Sequence, residues 1–116
     1  MQVGFLNFYD GVLSVGQQRA SLVANNIANA DTPGYKAVDV PFAAALESHL
    51  ADPSGAPASP EYRSGAAVGL DGNDVSLDSE RIEAAQNGEK MIGASTFLHQ
   101  STSDLITALR PNPSGN

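Results

Sequence analysis

No cysteine occurs among the 116 residues. That excludes disulfides, thiolate metal sites and a thiol nucleophile together. Tryptophan is absent and aromatics make up only 6%, so a chain this short builds a thin core and is expected to lean on partners. Cations are scarce: six Lys and Arg stand against thirteen Asp and Glu, a formal charge of −7. Phosphate neutralisation needs clustered Lys and Arg, as does a polybasic membrane-surface segment, so neither nucleic acid nor an anionic bilayer is an expected partner. No run reaches the roughly 18 apolar residues of a membrane span, and no direct membrane insertion is expected. The start, Met1 to Asn7, has no basic flank, and Asp10 interrupts the apolar stretch. That pattern does not match a cleaved secretory signal. It reads as cytosolic, or as exported by a route that cleaves nothing.

Two long periodic segments carry most of the apolar residues. Residues 1–30 are expected to form an N-terminal amphipathic helix, periodic from about Phe5. At about 100° per residue, Phe5, Leu6, Phe8, Tyr9, Val12, Leu13, Val15, Ala20, Leu22, Val23, Ala24 and Ile27 fall in one arc. The arc spans roughly 200°, twice the stripe of a helix that rests on one surface. Leu6, Leu13, Ala20 and Ile27 form a strict heptad along one edge; Phe8, Val12, Val15 and Leu22 mark the other. Two neighbours are needed to cover both. Residues 76–110 are expected to form the second amphipathic helix, with Ser76 as N-cap and Asp78 and Glu80 favourable in its first turn. Leu77, Ala84, Met91, Leu98 and Leu105 repeat every seven residues, and Ala85, Ile92, Ile106 and Leu109 widen that stripe, a coiled-coil pattern. Ile82 and Phe97 lie off it and suggest a second contact. Gly11 and Gly16 in the first helix, and Gly88 and Gly93 in the last, each cost about 1 kcal/mol relative to Ala. They are either tolerated variation or places where another backbone comes close.

Between the helices, residues 31–75 read as turn and irregular, partly flexible loop. Pro and Gly at the inner positions of Thr32-Pro33-Gly34-Tyr35 form the type II turn pattern. Val38, Val40 and Phe42 alternate with polar or Pro positions, a short extended reading, and Phe42 to Glu47 reads as one or two helical turns. Residues 52–60 hold Pro53, Pro57 and Pro60 among Ser, Gly and Ala, too little apolar surface to offset ordering entropy. Leu70 to Asp74 is a turn cluster, and 111–116 form a polar tail.

Signs of chemistry are missing. Ser95, His99 and Asp104 share one helix and cannot converge as a triad. Glu47 and His49 point to different helix faces. Asp71 to Ser76 fails the calcium-loop pattern, which needs Gly at the sixth and Glu at the twelfth position. No phosphate-binding Gly loop occurs. No catalytic, cofactor-binding or metal residues are expected, and enzyme is the weakest of the function classes.

The informative stretch is Asn25-Asn26-Ile27-Ala28-Asn29, two residues, then Thr32-Pro33-Gly34-Tyr35. Three Asn crowd the last turns of an apolar helix although Asn is a mediocre helix former, and their carboxamides can tie a helix end to passing backbone. Capping alone accounts for one Asn. The stretch resembles the N-terminal signature of the flagellar rod and hook family of axial proteins. Lys36 to Leu46, and Asp71 to Leu77 leading into the last helix, resemble its proximal rod members most. The chain departs from that pattern at Met91-Ile92-Gly93-Ala94 and at Ser76.

The resemblance implies a structural subunit, carried without a cleaved signal by the flagellar type III export apparatus. It implies polymerisation through the terminal helices into the periplasmic drive shaft that passes torque from the membrane rotor toward the hook. Implied partners are other copies, the rod proteins FlgC and FlgF, and the adapter FliE; no cofactor is implied. Asn25, Asn26 and Asn29 would bond to loops of the same or neighbouring subunits. Ile27 shares that signature, and Thr32, Pro33, Gly34 and Tyr35 would set the chain's exit. The stripes expected to serve assembly are Leu6, Phe8, Tyr9, Val12, Leu13, Val15, Leu22 and Val23, then Leu77, Ala84, Met91, Ile92, Phe97, Leu98, Leu105, Ile106 and Leu109. The expected fold is all-α: two long terminal helices packed as an antiparallel coiled coil or helical hairpin, around an irregular central loop with short extended pieces. The competing reading is a soluble helical adaptor or chaperone-like binding module that forms a closed oligomer.

Overall fold

The computed structural model describes residues 4–63 and 68–110; the tail at 111–116 lies outside them. The elements run α1 (Gly4–Ala28), β1 (Val38–Asp39), α2 (Phe42–Ala51), β2 (Glu61–Tyr62) and α3 (Leu77–Leu109). α1 and α3 lie antiparallel: Phe5 meets Phe97 edge to face, the Asn87 side chain reaches the Gly16 carbonyl, and Asn26 reaches Glu80. The result is an elongated hairpin of 74 × 26 × 18 Å.

Local chemistry sets the ends. α1 stops at the turn where Tyr35 N–H donates to the Thr32 carbonyl at 3.2 Å. Gly34 there takes φ +76°, the left-handed value that a type II turn demands. α3 begins at Ser76, whose hydroxyl accepts from Ser79 N–H, satisfying one of the free donors of the first turn.

The central segment holds more regular structure than its composition suggests. α2 runs ten residues, longer than the one or two turns expected. Phe42, Ala45 and Leu46 stand at helical spacing and pack with Val15, Leu22 and Val40 into the apolar core, which Ala58 joins from residues 52–60. β1 and β2 pair antiparallel, Val38 opposite Tyr62 and Asp39 opposite Glu61.

The seam between α1 and α3 differs from the apolar count. On α1 the buried residues include Val12, Gly16, Arg19, Val23 and Asn26, an alternating four-and-three spacing that is itself a coiled-coil register. On α3 the buried positions are Glu80, Asn87 and Ala94. Leu77 and Ala84 of the expected heptad are exposed, while Met91, Leu98 and Leu105 are half-buried. The apolar count missed this because hydrogen-bonded polar groups occupy the middle of the seam. The second neighbour of α1 is α2, which covers the flank carrying Gly11 and Val15. A Cβ on Gly11 would stand 2.9 Å from Leu46 Cδ1, and one on Gly16 2.6 Å from Met91 Cγ. Both glycines therefore serve close approach, by side chains rather than backbone. Gly88 and Gly93 have nothing within 4 Å.

Candidate functional site

Asn26 is fully buried at the hairpin's turn end. Its Nδ2 donates to the Val38 carbonyl at 2.8 Å and to Glu80 Oε2 at 3.1 Å. Its Oδ1 accepts from Val38 N–H at 3.0 Å and from the Tyr35 hydroxyl at 3.1 Å. Two donors and two acceptor sites are thus all used, the whole capacity of a carboxamide. Toward Val38 the side chain acts as one more strand residue, satisfying both backbone groups that β1 turns toward α1. Burial, with the charges of Glu80 and Asp74, raises the Tyr35 pKa, which keeps the hydroxyl a donor.

Charged groups continue the seam. Arg19 forks onto Asp39, Nε to Oδ1 and Nη2 to Oδ2, both at 3.0 Å, the strong bidentate geometry. Its Nη2 also reaches Glu83 on α3 at 2.6 Å. Arg63, just beyond β2, donates to Asp39 Oδ2 at 2.9 Å and to Glu80 Oε1. Burial pushes the Asp39 carboxyl up, but hydrogen bonds from Arg19, Arg63 and Val40 N–H outweigh it and hold the group below its ordinary value. The bond to Asp39 raises Arg19 against its burial; burial lowers Arg63, and Asp39 and Glu80 more than offset that. Two cations thus serve three carboxylates and tie α1, the strand pair and α3 into one unit. Glu80 is fully buried, and Arg63 supplies its ion pair.

A second set of bonds locks the loops. Asn73 Nδ2 donates to the carbonyls of Asn29 at 2.8 Å and Thr32 at 2.6 Å, a second donor for two carbonyls that already accept from Thr32 and Tyr35 N–H within the turn. Asp74 Oδ1 accepts from Ala37 N–H at 2.6 Å, and Gly34 N–H reaches the Asp71 carbonyl at 2.8 Å. Gly72 takes φ +83°, and a Cβ on it would lie 3.3 Å from Gly34 Cα. Two loops cross there on two glycines.

The family model described as flagella basal body rod protein matches residues 13–36, which span Arg19, Asn26, the turn and Tyr35. A flagellar basal body rod protein FlgB of Aeromonas hydrophila is 36% identical over 114 residues, covering 84% of this chain and 86% of its own length. The FlgB proteins of Proteus mirabilis and Salmonella typhimurium are each 32% identical and cover 90% of this chain and 92% of their own lengths. This chain belongs to the FlgB family of flagellar basal-body rod proteins. It is a structural subunit of the basal-body rod and assembles with other flagellar basal-body proteins. The adaptor alternative finds no support.

The family signature falls into two structural groups. Asn26 and Tyr35 lie inside the hairpin. Asn29 faces its own helix end, donating to the Asn25 carbonyl at 2.8 Å and accepting from Thr32 Oγ1 at 3.0 Å. Asn25, Ile27, Thr32, Pro33 and Gly34 are exposed. Among the stripe residues, Val12, Val15 and Val23 are buried and Tyr9, Leu13 and Leu22 half-buried. Leu6 and Leu13 keep partial cover on the edge of α1 away from α2, while Ala20 and Ile27 there are open. Phe8, Ile92, Ile106 and Leu109 are also exposed, and Phe97 leaves about half its surface open while packing on Phe5 and Tyr9 of α1. Arg19, Asp39, Arg63, Glu80, Glu83 and Asn87 were not among the expected site residues. A trace existed: Arg19 and Asn26 stand seven apart on the apolar arc, as do Glu80 and Asn87 on α3.

Proposed function

We propose that this FlgB-family subunit polymerises through its two terminal helices into the proximal rod, the shaft that passes torque from the membrane rotor toward the hook. The observation that carries this reading is the apolar surface the folded chain leaves in water. Ile92 is 70% exposed and Leu109 66%, and an open groove between the helices is lined by Leu13, Met91, Ile92, Ser95 and Thr96. Contiguous exposed apolar surface marks interaction sites, and heterologous contacts that do not close build helical filaments. The signature residues Asn25, Ile27, Thr32, Pro33 and Gly34 supply further subunit contacts, while Asn26 and Tyr35 hold the hairpin in the shape that presents them. Other copies, FlgC, FlgF and FliE are the neighbours, reached in the periplasm by way of the flagellar type III export apparatus. Leu13→Asp and Ile92→Asp place an unpaired charge in the groove. Each is expected to abolish rods and swimming while the purified chain keeps wild-type helix content. Normal swimming by both variants would overturn the reading.

A further inference from the structure

Residues 58–63 behave as a docked peptide. Ala58 packs on the core, and its carbonyl accepts from Gln18 Nε2 at 2.7 Å. Glu61 and Tyr62 pair with β1, Arg63 N–H donates to the Ala37 carbonyl at 2.9 Å, and the Arg63 guanidinium neutralises Glu80. The acceptor is made of other elements: α1, β1, α2 through Ala45, and α3. The chain leading to this segment touches little, since residues 52–57 are all exposed and the side chain of Tyr62 faces solvent.

The hairpin nevertheless cannot do without the segment. Glu80 is fully buried, its other hydrogen-bond partner is the neutral Asn26, and a buried carboxylate without a cation is strongly destabilising. The site needs an Arg63, but nothing in its geometry requires that Arg63 to belong to the same chain. Six residues, 52–57, reach about 19 Å at the ~3.1 Å per residue of Pro-rich chain. On the other side the chain is fixed again at Gly69, whose N–H donates to the Asn73 carbonyl at 2.6 Å, and the five residues between Arg63 and Gly69 span at most about 18 Å when extended. The hairpin is 26 Å by 18 Å across, so copies packed across its narrow dimension, and not those packed across the wide one, place equivalent acceptors at the limit of that reach. A short flexible linker gives an effective concentration in the millimolar range, which tightly packed neighbours match.

We propose that residues 58–63 are a clip exchanged between neighbouring copies in the rod, so that Arg63 of one copy neutralises Glu80 of the next. This rests on the polymerising reading above and adds a contact in which each subunit completes another's buried charge site, an exchange of identical elements. The test uses full-length chains. Arg63→Glu alone and Glu80→Arg alone each put like charges into a buried site, and neither is expected to support swimming. Produced together, they restore swimming if the clip exchanges, because each copy carries the charge the other lacks. No swimming from the mixture, while a single chain carrying both changes does swim, would overturn the proposal. The chain lacks cysteine, which allows a second measurement in otherwise unaltered copies. Gln18→Cys copies assembled with Ala58→Cys copies are expected to form a disulfide between chains in isolated basal bodies. Absence of that product, with both Cys-bearing copies present in the same rods, would overturn exchange and leave the rod reading intact. Absence of the wild-type subunit from basal bodies would overturn the rod reading instead.

Discussion

Toward the turn end of the hairpin, Arg19, Asn26, Glu80 and Asn87 fill the seam with polar groups. Toward the open end, Tyr9 and Phe97 stack with centroids 4.4 Å apart, Phe5 adds an edge contact, and Val12 and Ala94 are buried. The two halves hold the same helices together by different means. Carbon packing is non-directional and tolerates sliding. The polar half tolerates none: a shift of α3 along α1 parts Glu80 from Asn26, Glu83 from Arg19 and Asn87 from the Gly16 carbonyl, and unmade buried bonds are costly. Asn87 shows how narrow the permitted arrangement is. Its Nδ2 finds the Gly16 carbonyl at 2.9 Å, while its buried Oδ1 finds no donor among the described residues. A buried Asn of this kind sets register at a cost in stability. The polar half therefore specifies the pairing, and the aromatic half supplies apolar surface, part of which stays open.

Arg63→Ala breaks the contrast most severely. It leaves Glu80 buried and unpaired, for an expected loss of about 3–5 kcal/mol in urea unfolding. The paired change Arg63→Met with Glu80→Gln is expected to recover much of it, since the charge left behind, rather than the lost contact, is the larger cost. Asn26→Ala is expected to cost about 2–3 kcal/mol, because Val38, Tyr35 and Glu80 each lose a partner in a buried setting. At the other end, Phe97→Ala is expected to cost less, about 1–2 kcal/mol, because a ring that is already half in water gives up mainly its aromatic pairs.

Acid sharpens the same contrast. Asp39 titrates below its ordinary value in the fold, so its contribution is complete above the unfolded value of about 4 and is lost as pH falls through the folded one. Stability of wild type is expected to hold from neutrality to about pH 5 and to decline below about pH 4, and Asp39→Asn is expected to flatten that decline. Smallest of all, Gly88→Ala is expected to raise monomer stability by up to about 1 kcal/mol, since a Cβ there meets nothing. Impaired rod assembly by that stabilised chain would identify Gly88 as a place where a neighbouring subunit comes close.

Much of the architecture was legible because helices announce themselves by period and punctuation. Ser76 and the Thr32–Tyr35 turn carry their own geometry in their side chains, and Gly34 takes the φ that its position requires. The seam was less legible. An apolar count favours Leu6, Leu13, Ala20 and Ile27, yet the helices meet along a line that includes Gly16, Arg19 and Asn26. Hydrophobicity does not reveal when a polar residue will find all its partners. Asn26 was visible as one of three suspicious carboxamides, but only the fold separates it from Asn25, which faces solvent. Arg63 gave the least warning. It follows a Pro-rich stretch, and its partners Asp39 and Glu80 are 24 and 17 residues away in sequence, a distance no local pattern spans.

Amide hydrogen exchange on the dilute, unassembled chain tests the division between the halves most directly. Amides of residues 16–26 and 80–90 are expected to exchange slowest, with protection falling off toward residues 5–12 and 94–109. Equal protection along both helices, or slower exchange at the aromatic end than around Asn26 and Glu80, would contradict a hairpin whose register is set by its polar half.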